Sequence, residues 1–106
     1  MKGNSKKWIN ADNDSLFKAI LSLKNLAEAR RFFRDLLTEE EIREFSMRWK
    51  AAKMLNENRS YSDIGRETWL SSRTIARIKK WLTNGMNGYK LVIDRLGHTS
   101  ASFGKR

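Results

Sequence analysis

Between Ser71 and Lys80 the chain sets four cations, Arg73, Arg77, Lys79 and Lys80, among small and hydroxyl-bearing residues, with no acid. That grouping has the chemistry of phosphate and base-edge recognition. A guanidinium pairs with both acceptors of a guanine edge, and the major groove admits one α-helix. Hydroxyls and the free backbone N–H groups of a helix's first turn hold phosphates. At helical spacing, Ile75, Ile78 and Leu82 share one face and anchor the segment, while Ser72, Arg73, Ala76, Arg77 and Lys80 fall opposite. Ser72, Arg73 and Ala76 lie in the N-terminal half, which enters a groove deepest, and are the candidate base readers. Ser71 and Thr74 are candidates for holding a phosphate, and Lys79 and Lys80 for phosphate contacts. Arg66, just upstream, adds another. A solvated basic helix face is the plainer alternative.

A reading helix needs a second helix to aim it, and Tyr61 onward supplies one. In a helix-turn-helix the two helices cross steeply around a short turn. Counting Tyr61 as one, that geometry asks for an apolar residue at position four and a tiny one at five, where the helices cross. It asks for apolar contacts at ten, fifteen and eighteen. The chain has Ile64, Gly65, Leu70, Ile75 and Ile78 there. Position nine usually carries glycine because the turn wants a positive φ; this chain has Trp69. A non-glycine residue there costs about 1 kcal/mol or more.

The elements around this pair are read from caps and periodicity. Asp12 to Ser15 is a polar start before Leu16, Phe17, Ile20, Leu21 and Leu23. Asn25 with Glu28 opens a second helix, whose apolar face is Leu26, Phe32, Phe33, Leu36 and Leu37. Thr38 with Glu41 opens a third, carrying Ile42, Phe45, Trp49, Ala52 and Leu55. Glu39, Glu40 and Glu41 lie in its first turn and complement the helix dipole there, a simpler role than a catalytic carboxylate pair. Glu57 to Arg59 is a polar break. Ser60 caps a fourth helix, with Asp63 three residues on, and Ser71 caps a fifth running to about Thr83. Asn84-Gly85 is a stop. A last helix carries Leu91, Val92, Ile93 and Leu96, and Gly97 ends it. The organisation is therefore a flexible basic arm over residues 1–11, a helical DNA-binding domain over 12–96 with its helix-turn-helix at 60–82, and a flexible tail over 97–106. The first two helices are apolar enough to face either a compact core or a second chain.

Composition narrows the class. The chain has 106 residues, one domain's worth, and no proline, which favours uninterrupted helices. It has no cysteine, so disulfides and thiolate metal sites are excluded. No apolar run approaches the ~18 residues of a membrane span. No signal-peptide pattern opens the chain. A cytoplasmic location is expected. The net charge is +10, and residues 11–96 alone hold 17 bases against 12 acids. Such a chain suits nucleic acid, an anionic membrane or an acidic protein. His98 is the only histidine, and there is no glycine-rich phosphate loop, metal-ligand cluster or nucleophile–base pair. No enzyme, catalytic residue or metal site is expected.

Three segments resemble the Trp repressor superfamily, in particular its Trp-repressor-like YerC/YecD group. They are "AILSLKNLAEARRFFRDLLTEEEI" (19–42), "AAKMLNENRSYSDIGRETWLSSRTIARIKKWL" (51–82) and "NGMNGYKLVIDRL" (84–96). Within them, Thr74-Ile75-x-Arg77, the trailing Gly88-Tyr89-Lys90 and the preceding Ala52-Lys53-Met54-Leu55 are the specific marks. The resemblance implies an all-α fold of about six helices and an intertwined homodimer, with two reading helices meeting successive major grooves about 34 Å apart. It implies a transcriptional regulator that represses from a near-palindromic duplex site. The best-known member takes L-tryptophan as corepressor, and its ligand contacts match Thr38, Arg48 and Arg77 here. The residue after the last arginine is glycine in that repressor and Ile78 here. A branched side chain fills the space an indole needs, so neither tryptophan nor a related corepressor is expected as a cofactor. The alternatives are a transposase-type helix-turn-helix module working within a larger assembly, or a basic helical module that binds an acidic protein.

Overall fold

Polar caps set where the helices begin. The computed structural model describes residues 7–104 and contains six α-helices: α1 (Ala11–Leu21), α2 (Leu26–Leu36), α3 (Glu39–Asn56), α4 (Tyr61–Thr68), α5 (Ser72–Asn84) and α6 (Gly88–Gly104). No strand occurs among the described residues. Expectations for residues 1–6 and 105–106, the outer parts of the basic arm and tail, lie outside them. The chain divides into two compact units, one ending at Glu39 and the other starting at Glu40.

In the first unit, α1 starts one residue before the polar run. Asn10 is the N-cap, its side-chain oxygen accepting from the Asn13 N–H at 2.8 Å. Asn13 in turn donates to the Trp8 carbonyl at 2.6 Å. The Asn25 side chain accepts from the Glu28 N–H at 2.9 Å. Glu28 reaches back one residue further than a capping box requires and accepts from the Lys24 N–H at 2.9 Å. Phe32 and Phe33 meet edge to face, with centroids 5.5 Å apart. Leu37, expected on the α2 face, is extended and follows the helix. Neither α1 nor α2 has a buried residue.

The second unit holds the core. Ala51, Ala52, Met54 and Leu55 of α3 pack with Ile64 of α4 and with Ile75 and Ile78 of α5. Trp49, Leu70, Leu82, Tyr89 and Ile93 close around them. Burying each isoleucine stabilises the unit by about 1.5–3 kcal/mol. Burial on α3 begins only at Ala51; Phe45, expected on its apolar face, is half exposed. Tyr89 of α6 stacks on Trp49 of α3 at 6.4 Å, and the Lys53 ammonium lies 5.4 Å above the Trp49 ring.

Two turns shape this unit. After α3 the Arg59 N–H donates to the Met54 carbonyl and the Asn58 N–H to the Leu55 carbonyl, with Asn58 left-handed at φ 63°. This is a Schellman stop, and asparagine is one of the few residues that tolerates it. At the end of α5, a side chain on Gly85 would collide with the Trp81 carbonyl, so the stop requires glycine. Gly97 does not end α6, whose backbone stays helical to Gly104. One interior glycine costs a helix only about 1 kcal/mol, too little to stop it alone.

Candidate nucleic-acid interface

The expected helix-turn-helix is present as α4, a short turn and α5. Ser60 caps α4 by accepting from the Asp63 N–H at 3.0 Å. Ser71 caps α5 by accepting from the Thr74 N–H at 3.1 Å. Ile64, Ile75 and Ile78 are fully buried, and Leu70 packs on the same cluster. Gly65 sits at the crossing, where an added Cβ would lie 3.7 Å from the Leu70 carbonyl and 4.0 Å from Ile75. The crossing is close, with ordinary contact room for one methyl group. At the end of α4, Thr68 is buried with its hydroxyl donating to the Ile64 carbonyl at 2.7 Å. The same oxygen accepts from the Leu70 N–H at 3.2 Å. Trp69 caps α4 with φ 64°, the left-handed conformation that position nine requires.

With Ile75, Ile78 and Leu82 turned inward, the rest of α5 faces out. Ser72, Arg73, Ala76, Arg77, Lys79 and Lys80 are exposed, and Thr74 is partly so. Helical periodicity puts Arg73 and Lys80 opposite the buried stripe, flanked by Ala76 and Arg77. Lys79 sits to the side, on a shallow cleft it shares with Leu55, Asn58 and Lys90. Helix α5 contains no acid. Among the described residues, none pairs with Arg73, Arg77, Lys79 or Lys80. The cationic ridge is therefore not neutralised from within. The Ser71 hydroxyl also donates to the Thr74 hydroxyl at 3.1 Å, so these two groups are partly committed to the cap.

Arg66 differs from the α5 cations. Its guanidinium is bonded to Asp63, one turn earlier on α4. Asp63 belongs to an ion-pair chain that ties α4 to α3. Arg59 lies 2.8 Å from Glu67 and 3.6 Å from Asp63, and Lys50 lies 3.5 Å from Glu67. The Arg66 bond holds the Asp63 carboxyl below its usual range, and the Arg59 bond does the same to Glu67. Spacing alone did not separate this bound arginine from the four unpaired cations. The signal was there in Asp63, three residues earlier on the same helix face.

Comparison with known proteins agrees with this geometry. The Trp repressor protein family matches residues 11–97. The chain belongs to the Trp repressor family. Members are DNA-binding regulators rather than enzymes. The chain is 44% identical over 86 residues to the uncharacterised protein YerC of Bacillus subtilis, covering 81% of this chain and 83% of that one. A TrpR-like protein from Eubacterium eligens superposes with a TM-score of 0.82 at 46% identity, over 87% of this chain and 95% of its own. A candidate Trp repressor from Staphylococcus aureus gives 0.81 at 39% identity, over 87% and 92%.

In this Trp repressor family member the three effector-matched positions have different surroundings. Thr38 lies in the first unit. Arg48, on α3, bonds Glu44 at 2.9 Å, leaves its Nε buried without a partner, and borders a cleft of about 260 Å³ with Phe45, Trp49 and Tyr89. Burial pushes the Tyr89 hydroxyl above its usual pKa, and the nearby Arg48 charge opposes that. Arg77 is exposed on α5. Ile78, next to it, is fully buried and belongs to the core. Among the described residues no group of acids or histidine is placed to hold a metal, and no helix is long and apolar enough to cross a membrane.

Proposed function

We propose that this Trp repressor family member is a sequence-specific transcriptional repressor that binds a near-palindromic duplex site as a homodimer. The carrying observation is the α5 ridge: Arg73, Arg77 and Lys80 exposed and unpaired, on a helix anchored by Ile75 and Ile78. Ser72, Arg73 and Ala76 read base edges. Ser71, Thr74, Arg77, Lys79 and Lys80 hold phosphates, and Arg66 joins them while sharing its charge with Asp63. The homodimer reading rests on large apolar side chains exposed in each unit. Phe17, Leu21, Leu26 and Leu36 of the first unit are exposed, and so are Leu91, Val92 and Leu96 of α6. A twofold pair would set two ridges one helical turn of DNA apart.

Selection of bound duplexes from a random pool tests the reading. A near-palindromic motif is expected, with scrambled competitors bound far more weakly at the same salt. Arg73→Ala weakens the selected site by about 1–3 kcal/mol and relaxes base preference, whereas Lys80→Ala weakens all sequences alike and flattens the salt dependence. Equal binding of selected and scrambled duplexes would defeat the proposal and leave only electrostatics. Tryptophan is not part of it. Ile78 stands where the tryptophan-binding member has glycine, and saturating L-tryptophan is expected to leave duplex affinity unchanged.

A further inference from the structure

Three residues other than glycine are left-handed in the described chain: Asn58, Trp69 and Asn87. Asparagine enters that region readily, whereas tryptophan does so only under strain. Burial does not offset the strain, because Trp69 is 84% exposed. Its neighbours behave oppositely: Thr68 is buried and Leu70 packs on the core. The backbone between them is tightly held. The Trp69 N–H donates to the Gly65 carbonyl at 2.8 Å, and the Leu70 N–H to the Thr68 hydroxyl at 3.2 Å. A large indole thus projects from a rigid turn, two residues before the cap of the reading helix, with most of its surface exposed.

We propose that Trp69 is a DNA contact, its indole lying against the deoxyribose–phosphate edge of the groove that α5 enters. This rests on the DNA-binding function proposed above and adds a residue that the α5 ridge does not include. The edge is favoured over the bases on two grounds. Indole offers one N–H donor and no acceptor, so it cannot match a base edge bidentately, but it can donate to a phosphate oxygen. Its rings offer a flat apolar surface to the sugar. The turn also precedes the helix that penetrates the groove, which places it at the rim. Backbone rigidity matters here, since a turn that is already held loses little main-chain freedom on binding.

The test is Trp69→Gly alongside Trp69→Phe in the full chain. Glycine accepts φ 64° without strain, so Trp69→Gly should unfold at the same denaturant concentration as the native protein or a higher one. Its affinity should nonetheless fall about five- to tenfold, equally for the selected duplex and a scrambled one, with partial recovery in Trp69→Phe. Native affinity in Trp69→Gly would overturn the assignment while leaving the α5 reading intact. A loss confined to the selected duplex would overturn the edge contact in favour of base reading. A shift of Trp69→Gly toward a 12.4 kDa species would place the indole between subunits instead, and also overturn it. Failure of the native protein to prefer duplex DNA over heparin would remove the DNA reading itself, and Trp69 with it.

Discussion

Helices α4 and α5 and helices α1 and α2 start from similar materials. Each has an N-cap side chain that accepts from the backbone N–H three residues on, the cap being serine in one pair and asparagine in the other. Each pair carries isoleucine, leucine or phenylalanine on its inward or apolar faces. The outcomes differ. The first pair buries Ile64, Ile75 and Ile78 completely, while the second buries nothing. An apolar stripe therefore states that a helix needs a partner without saying that its own chain provides it. In α4 and α5 the isoleucines share one core with Ala51, Ala52, Met54 and Leu55 from the second half of α3. For α1 and α2, a second copy is the partner proposed here.

Truncating the buried stripe gives the largest expected effect. Ile78→Ala removes a fully buried side chain from a packed core and should cost about 2–5 kcal/mol in denaturant unfolding. The loss should be the same at every protein concentration. A cost below 1 kcal/mol would mean that the α5 anchor is much looser than its burial implies. Leu21→Glu probes the other side of the comparison. Leu21 is 82% exposed in its own chain, so the change should cost an isolated chain almost nothing. If a second copy covers it, sedimentation at micromolar concentration shifts toward the 12.4 kDa species, and the unfolding midpoint loses its concentration dependence. A native protein that sediments at 12.4 kDa would end the dimer proposal outright.

The legibility of these regions followed the same division. The α4–α5 packing was readable because a steep crossing imposes fixed spacings, and Ile64, Gly65, Leu70, Ile75 and Ile78 meet them in order. The left-handed turn at Trp69 was readable for the same reason, since position nine leaves the backbone no other route. The solvent exposure of its indole was not, because local spacing fixes a backbone conformation and not what the side chain meets. Nor was the commitment of Arg66 to Asp63, which depends on rotamers. Gly97 misled because a stop and a tolerated interior glycine look alike in sequence. For α1 and α2, periodicity gave the helices but could not name the surface that covers them.

Gly65→Ala sharpens the crossing. A methyl there would sit in ordinary contact with Leu70 and Ile75, and alanine lowers the entropy lost when an interior helical position folds. A gain of about 0.5–1 kcal/mol is expected, with duplex affinity unchanged. A loss would show that the crossing is tighter than these distances allow. Gly85→Ala should go the other way, since its side chain would meet the Trp81 carbonyl.

The smallest effect separates the core from the ion-pair chain on its surface. Asp63 and Glu67 have folded-state pKa values below their ordinary ones, held down first by Arg66 and Arg59 respectively. A lowered carboxylate pKa stabilises the fold above the unfolded value, and that contribution disappears as the pH falls through the folded value. The window therefore lies at and below about pH 4, the ordinary carboxylate range. Glu67 is exposed and Asp63 partly so, and both are screened, so the contribution is small beside that of Ile78. Glu67→Gln isolates it. The thermal midpoint of Glu67→Gln should lie slightly below that of the native protein at pH 6, and the gap should close as the pH falls below the ordinary carboxylate range and through the lowered folded-state value, where native Glu67 takes up its proton. Raising the salt at pH 6 should narrow the same gap, because exposed pairs are screened. A gap that persists unchanged in acid and in salt would mean that Glu67 supports α4 by packing. The stability of the helix-turn-helix would then rest on its apolar face alone.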